Sequence, residues 1–149
     1  MREIIAINPV LLAALLSWFL AQAVKIPIYY FQNGKWNFAL IVASGGMPSS
    51  HSALVSATSY LIGLLYGFDT PLFAVATVTA LIVIHDATGV RREAGRQAIA
   101  INSIIEDLAR GKFADQEKLR EMLGHTPLEA FSGMFLGLGV AQLIWFLGR

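Results

Sequence analysis

Two short strings, each containing a histidine, have the residue types of a phosphate site. His51 ends the string Pro48–His51, and His125 stands in the string Gly124–Glu129. An uncharged or nearly uncharged apolar run follows each string, so each histidine falls beside the first turn of a predicted helix. The free N–H groups and positive dipole end of a helix N-terminus bind anions. If the two ends converge, the strings predict an anion site built from two helix N-termini.

The same two strings contain helix-capping residues. Ser49 or Ser50 can cap the helix that contains His51, and Thr126 with Glu129 has the Thr-x-x-Glu spacing of a capping box. Capping alone is a complete structural explanation of Glu129. However, His125 lies four residues before Glu129, so this carboxylate is also close enough to hold the imidazole in one orientation.

Further charged residues lie where apolar runs end. Lys25 by itself is interpreted as a lysine that reaches the headgroup level, and its place on the same face as the histidines favours phosphate contact. A charge inside a span costs at least about 2.5–3.5 kcal/mol, so Asp86 is expected to have a function or a partner. Its candidate partners are Lys25 and an arginine, in a pair that would tie two helices together.

The composition is that of a small integral membrane protein. The chain has 149 residues, of which 56% are hydrophobic and 14% charged, whereas soluble domains average about 25% charged residues. Mean hydropathy is +0.60. A net charge of +1 provides no field for nucleic acid, and without cysteine the chain can form neither a disulfide nor a thiolate metal site.

Four apolar segments are long enough to cross a membrane, which takes about 20 residues. They are residues 8–30, 49–66, 71–90 and 127–147. Backbone polar groups in lipid are satisfied only in helices or closed barrels, and these runs are too long for barrel strands. We therefore expect an all-α integral membrane bundle of about four transmembrane helices, forming one domain over residues 1–149.

The linkers between the spans carry most of the remaining polar residues. The polar linker 91–124 has apolar residues at helical spacing, which predicts an amphipathic surface helix. These residues are Ala94, Ala98, Ile101, Ile105 and Leu108. Gly111 is expected to end that helix, and residues 115–123 to form a second short one. Residues 38–43 are apolar but too short to cross alone, and predict a re-entrant or interfacial half-helix.

The distribution of basic residues predicts the orientation. Four crossings place nine of the eleven Lys and Arg residues on one side. The positive-inside rule makes that side cytoplasmic, so we expect a cytoplasmic-membrane protein whose polar site faces the cytoplasm and meets membrane lipids. Gly133 and Gly137 predict close helix packing, either within one chain or in a homo-oligomer.

These strings resemble motifs of the phosphatidic-acid phosphatase and vanadium haloperoxidase superfamily. Pro48–His51 resembles its Pro-Ser-Gly-His motif, His125 with Glu129 resembles its His-x-x-x-Asp motif, and Lys25 resembles its first lysine. Over roughly residues 20–137 the chain resembles a small, divergent membrane branch of that superfamily.

The resemblance implies a membrane phosphatase that hydrolyses a lipid phosphate or pyrophosphate without a metal or other cofactor. His125 would attack phosphorus, Glu129 would fix its tautomer, and His51 would protonate the leaving oxygen. The residues that would bind the phosphate are Lys25, Ser49, Ser50, Arg91 and Arg92. Leu119 stands where the superfamily has an arginine, so Arg91 or Arg92 would replace that charge from another helix.

Two other functions are compatible with these residues. Oxygen ligands from Asp86 and Glu129, with His85 as a further candidate ligand, would suit Mg²⁺, which predicts metal-assisted phosphoryl transfer. Alternatively, the protein binds or transports phospholipids or other anions without hydrolysing them.

Overall fold

The computed structural model describes residues 8–41, 45–109 and 124–149. Its helices are α1 (Pro9–Asn33), a 3₁₀ helix (Phe38–Ile41), α2 (Ser50–Tyr66), α3 (Pro71–Thr88), α4 (Val90–Ala109) and α5 (Pro127–Leu147). The described ranges contain no β-strand, so the predicted all-α class is confirmed.

Among the described residues, three stretches are long and apolar enough to cross a membrane: Pro9–Asn33, Pro71–Glu106 and Pro127–Leu147. Helix α2 has 17 residues, the lower end of the spanning range of about 17–25. Helices α1, α2, α3 and α5 coincide with the four predicted segments. α1 continues past the predicted end to Asn33, where Gly34 adopts φ 67°, a left-handed conformation that ends helices.

Helix α2 is the central helix and packs against α1, α3 and α5. Its contacts with α5 depend on residues without side chains. A methyl group on Gly133 would lie 2.1 Å from the carbonyl oxygen of Ser49, and one on Gly137 would lie 2.2 Å from that of Ala53. The two glycines therefore bring two helix backbones together within one chain, as small residues do in membrane bundles.

Hydrogen bonds between helices add to this packing. The Ser17 hydroxyl of α1 donates to the Ala53 carbonyl at 3.2 Å, and the Tyr60 hydroxyl of α2 donates to Gln142 Oε1 of α5 at 2.9 Å. These bonds fix how far each helix can slide along α2, and so fix the height of the helix ends that carry the histidines.

The linkers contain two further helices where they are described. The 3₁₀ helix lies within the predicted half-helix 38–43, of which residues 42–44 fall outside the described part. Helix α4 covers the predicted surface helix and contacts α3. The predicted stop at Gly111 and the predicted helix 115–123 also lie outside the described residues.

Candidate functional site

The N-terminus of α2 is shaped by a glycine turn. Gly45 and Gly46 have φ of 109° and 78°, and the Met47–Pro48 peptide is cis. Ser49 is the N-cap: its Oγ accepts the N–H of Ser52 at 3.3 Å and the Ser52 hydroxyl at 3.0 Å. The sequence left Ser49 and Ser50 as alternative caps, and the structure assigns the cap to Ser49.

The residues around this cap differ in exposure. Ser49 and Ser50 are both buried, with Ser50 in the first helical turn, whereas His51 is exposed. His51 is therefore the group at this helix end that solvent or a headgroup can reach directly.

The N-terminus of α5 has the predicted capping box. The Thr126 N–H donates to Glu129 Oε2 at 2.8 Å, and the Glu129 N–H donates to Thr126 Oγ1 at 3.3 Å. Pro127 follows the cap, a position that needs no N–H donor. The box fixes the Glu129 carboxylate beside the first turn of α5.

The two helix N-termini are joined directly. The backbone N–H of Ser49 donates to the backbone carbonyl of Glu129 at 2.9 Å. The convergence on which the predicted anion site depends is therefore present, with the N-cap of α2 against the first turn of α5.

His125 is held by backbone contacts to the junction of α3 and α4. Its N–H donates to the Ala87 carbonyl at 2.9 Å. A methyl group on the preceding Gly124 would lie 2.3 Å from the backbone nitrogen of Arg92. Only glycine therefore allows the backbone at residue 124 to pack this closely against α4. The side chain of His125 is 8% exposed, and Nδ1 lies 3.5 Å from Glu129 Oε2 without forming a hydrogen bond.

Burial decides the charge state of this imidazole. It lowers the pKa of His125, and the positive charge of Lys25 acts in the same direction. The Glu129 carboxylate opposes this by raising the pKa, but the net direction is downward. His125 is therefore neutral at pH 7, which is the nucleophilic form of the side chain.

Lys25 interacts electrostatically with both histidines. It projects from α1, is 3% exposed, and its Cδ is 3.9 Å from where a methyl group on Gly46 would be. Its charge acts on His51 and His125, and the Glu129 carboxylate acts on it in turn. The structure thus brings together Lys25, both histidines and Glu129.

Arg91 and Asp86 form an ion pair at the junction of α3 and α4. Arg91 Nε lies 2.6 Å from Asp86 Oδ2, and the two side chains are 61% and 37% exposed. Asp86 therefore has the arginine partner that was one of the predicted explanations of its charge. The charge of Arg91 also acts on His51, which places Arg91 at the edge of the cluster.

The other predicted residues lie in different surroundings. The backbone of Arg92 packs against Gly124 and its side chain is half-buried. His85 is exposed on the last turn of α3. Within residues 8–41, 45–109 and 124–149, no three His, Cys, Asp or Glu side chains are close enough to hold a metal ion. Leu119 lies outside the described residues.

A cavity of about 290 Å³ adjoins this cluster. Its polar lining includes Lys25, Tyr29 and Gln32 from α1, and Thr126 and Glu129 from α5. Sequence reasoning missed Tyr29 and Gln32. Their spacing of four and seven residues from Lys25 places all three on one helical face, and that was the available signal.

The chain matches a known protein family. The family model described as the Divergent PAP2 family matches residues 6–140. The chain belongs to the Divergent PAP2 family. It is also 43% identical over 139 aligned residues to the uncharacterized membrane protein YuiD of Bacillus subtilis (strain 168), covering 86% of this chain and 88% of that protein. No solved structure matches it.

Membership of the Divergent PAP2 family confirms the resemblance drawn from the histidine strings. The matched residues include both helix N-termini, Lys25 and the junction of α3 and α4. The protein is therefore a PAP2-related membrane protein, and the cluster around His125 is its candidate active site.

Proposed function

We propose that this protein is a membrane phosphatase that hydrolyses a lipid phosphate or pyrophosphate with His125 as the nucleophile. One observation carries the proposal. The hydrogen bond from Ser49 to Glu129 joins the two helix N-termini that present His51 and His125, and the buried Lys25 interacts electrostatically with both histidines.

In the proposed reaction, Nε2 of neutral His125 attacks phosphorus as the bond from phosphorus to the leaving oxygen breaks. Nδ1 keeps its proton toward Glu129 Oε2, 3.5 Å away, and the carboxylate stabilises the positive charge that develops on the ring. His51 donates a proton to the leaving oxygen as general acid. His51 then takes a proton from water, which attacks the phosphohistidine and releases phosphate with neutral His125.

The negative charge on the transferring group is stabilised by three kinds of group. Lys25 contributes a buried ammonium, the first turns of α2 and α5 contribute N–H groups, and Arg91 contributes an exposed guanidinium at the edge. Such groups stabilise a transition state best where water is excluded, and the buried Lys25 and Ser49 provide that environment.

The substrate is proposed to be a lipid on the cytoplasmic face of the cytoplasmic membrane. The cluster lies at the ends of apolar helices, where it would meet phosphorylated headgroups directly. The assignment of this face to the cytoplasm rests on the positive-inside rule, since the four predicted crossings place nine of the eleven basic residues on this side.

The test is phosphate release by the purified protein in detergent or nanodiscs, across lipid monophosphates and pyrophosphates. We expect release in the presence of a chelator, loss of at least about 10³-fold in His125→Asn, and retention in the matched control His85→Asn. Release that requires Mg²⁺ would instead support metal-assisted transfer. Equal rates in His125→Asn and His85→Asn would contradict the proposal.

One observation favours a second function, anion or phospholipid binding without turnover. The His125 side chain is only 8% exposed, so a substrate needs an opening to reach Nε2. Binding of inorganic phosphate or lipid phosphate that stabilises the protein, with no phosphate released during prolonged incubation, would support this function over hydrolysis.

A further inference from the structure

The cavity beside the catalytic cluster has a polar wall that the proposed chemistry does not use. Tyr29 and Gln32 line it from α1 on the same face as Lys25. One turn before Lys25 on that face, Gln22 is buried and its Oε1 has no hydrogen-bond partner. A phosphate bound by Lys25 gives no reason for this extended row of amide and phenol groups.

The wall of the cavity opposite Tyr29 and Gln32 indicates which chemical groups a bound ligand should carry. Thr126 and Glu129 line it from α5, and an ionised carboxylate can only accept hydrogen bonds. A fully ionised phosphate also has only acceptors, so in this cavity it can bind Lys25 but can donate nothing to Glu129. A hydroxyl group can donate to the carboxylate or to a glutamine oxygen and can accept from a glutamine N–H.

The remaining walls are apolar and partly open. Ile28, Leu40 and Leu128 line the cavity, and Leu128 is 70% exposed on the first turn of α5. The volume of about 290 Å³ holds roughly ten water-sized groups at about 30 Å³ each. That is enough for a small polyol fragment and its phosphate, but not for a lipid chain, which would leave past Leu128.

We propose that this cavity, which we call the alcohol subsite (Tyr29, Gln32, Thr126 and Glu129), binds the leaving part of the substrate, and that this part carries a free hydroxyl near the phosphate ester, as in glycerol phosphates. The inference rests on the proposed phosphatase function for its role in turnover. The subsite itself is a binding property and can be measured separately. The same chemistry is offered by a lipid headgroup and by soluble glycerol 3-phosphate.

The turnover experiment compares two single-chain substrates, lysophosphatidic acid, which has a free hydroxyl, and hexadecyl phosphate, which has none. We expect kcat/KM to favour lysophosphatidic acid by at least about tenfold, since a site built for a hydroxyl discriminates against its absence. Gln32→Leu should remove most of that preference, and the surface control Gln97→Leu should keep it. A preference that is absent, or unchanged in Gln32→Leu, overturns the subsite. Faster release from lysophosphatidic acid than from glycerol 3-phosphate assigns the source to a lipid.

The binding experiment needs no turnover. It compares the thermal stabilisation of the detergent-solubilised protein by glycerol 3-phosphate and by inorganic phosphate. A larger shift with glycerol 3-phosphate, lost in Gln32→Leu while the phosphate shift remains, supports the subsite. Equal shifts, or no shift with either ligand, overturn it. If glycerol 3-phosphate stabilises the protein more than inorganic phosphate does while no substrate releases phosphate, the phosphatase proposal fails and the subsite stands.

Discussion

The backbone N–H of Ser49 donates to the backbone carbonyl of Glu129 at 2.9 Å, which joins the N-cap of α2 to the first turn of α5. A carbonyl oxygen can accept two hydrogen bonds, so Glu129 can take this one in addition to its own helical bond. Ser49 can approach because Gly133, one turn further along α5, has no side chain. The distance between the two histidine-bearing helix ends is therefore set by a glycine contact.

Replacing Gly133 with alanine should separate these helix ends. The added methyl group would lie 2.1 Å from the Ser49 carbonyl oxygen, and overpacking of this kind costs about 1–3 kcal/mol. We expect a lower midpoint of thermal unfolding together with loss of phosphate release. The matched control is Gly139→Ala on the same helix, where nothing lies within 4 Å. A Gly133→Ala protein as stable as the control would refute the contact.

Thr126→Val should weaken both the fold and the site. It removes the N-cap hydroxyl that accepts from the Glu129 N–H, a change that costs about 0.5–2 kcal/mol. The Thr126 N–H can still donate to the carboxylate, so Glu129 is loosened through the first turn of α5. The control is Thr70→Val, which removes the equivalent cap of α3 away from the histidines. We expect similar losses in unfolding free energy, with a fall in kcat for Thr126→Val alone. Equal kcat in the two variants would show that capping does not position Glu129 for catalysis.

The acid limb of phosphate release should lie below the ordinary histidine value of about 6.5. Burial lowers the pKa of His125, so the neutral nucleophile persists to lower pH than a free histidine. Lys25 also lowers this pKa. Lys25→Met should therefore move the acid limb of kcat/KM to higher pH in addition to reducing the rate. The exposed Lys35→Met is the control. An acid limb unmoved in Lys25→Met would contradict this coupling.

Stability should depend on the same titration. Because the folded pKa of His125 is lowered, its contribution is fully present above the unfolded value of about 6.5 and is lost as pH falls through the folded value. His125→Asn should flatten this part of the profile of unfolding free energy against pH. A steeper profile in His125→Asn would reverse the sign of the assigned shift.

The Asp86–Arg91 pair should contribute little to stability. Both side chains are more than a third exposed, and exposed ion pairs contribute about 0.2–1 kcal/mol. Asp86→Asn should therefore change the unfolding free energy by less than about 1 kcal/mol, and less at high salt. A loss above about 2 kcal/mol would show that this pair fastens α4 to α3.

Residue patterns within a single helix were enough to predict several features of the fold and of the candidate site. The four apolar runs predicted helices α1, α2, α3 and α5, because backbone groups in lipid have no other way to be satisfied along runs of that length. The Thr126 capping box was also readable, since its partners are three residues apart. Contacts between residues far apart in the sequence could not be predicted from such patterns. No spacing rule connects Lys25 to Gly46, or His125 to the Ala87 carbonyl.

What the sequence by itself determined is the element types and the end of the bundle at which the polar residues gather, because hydropathy and capping act within one or two helical turns. Only the tertiary structure decided that Asp86 pairs with Arg91, that Tyr29 and Gln32 share a cavity with Glu129, and that Ser49 meets Glu129. These depend on how closely helix backbones approach. In this protein that approach is limited by whether residues such as Gly133 and Gly124 have a side chain.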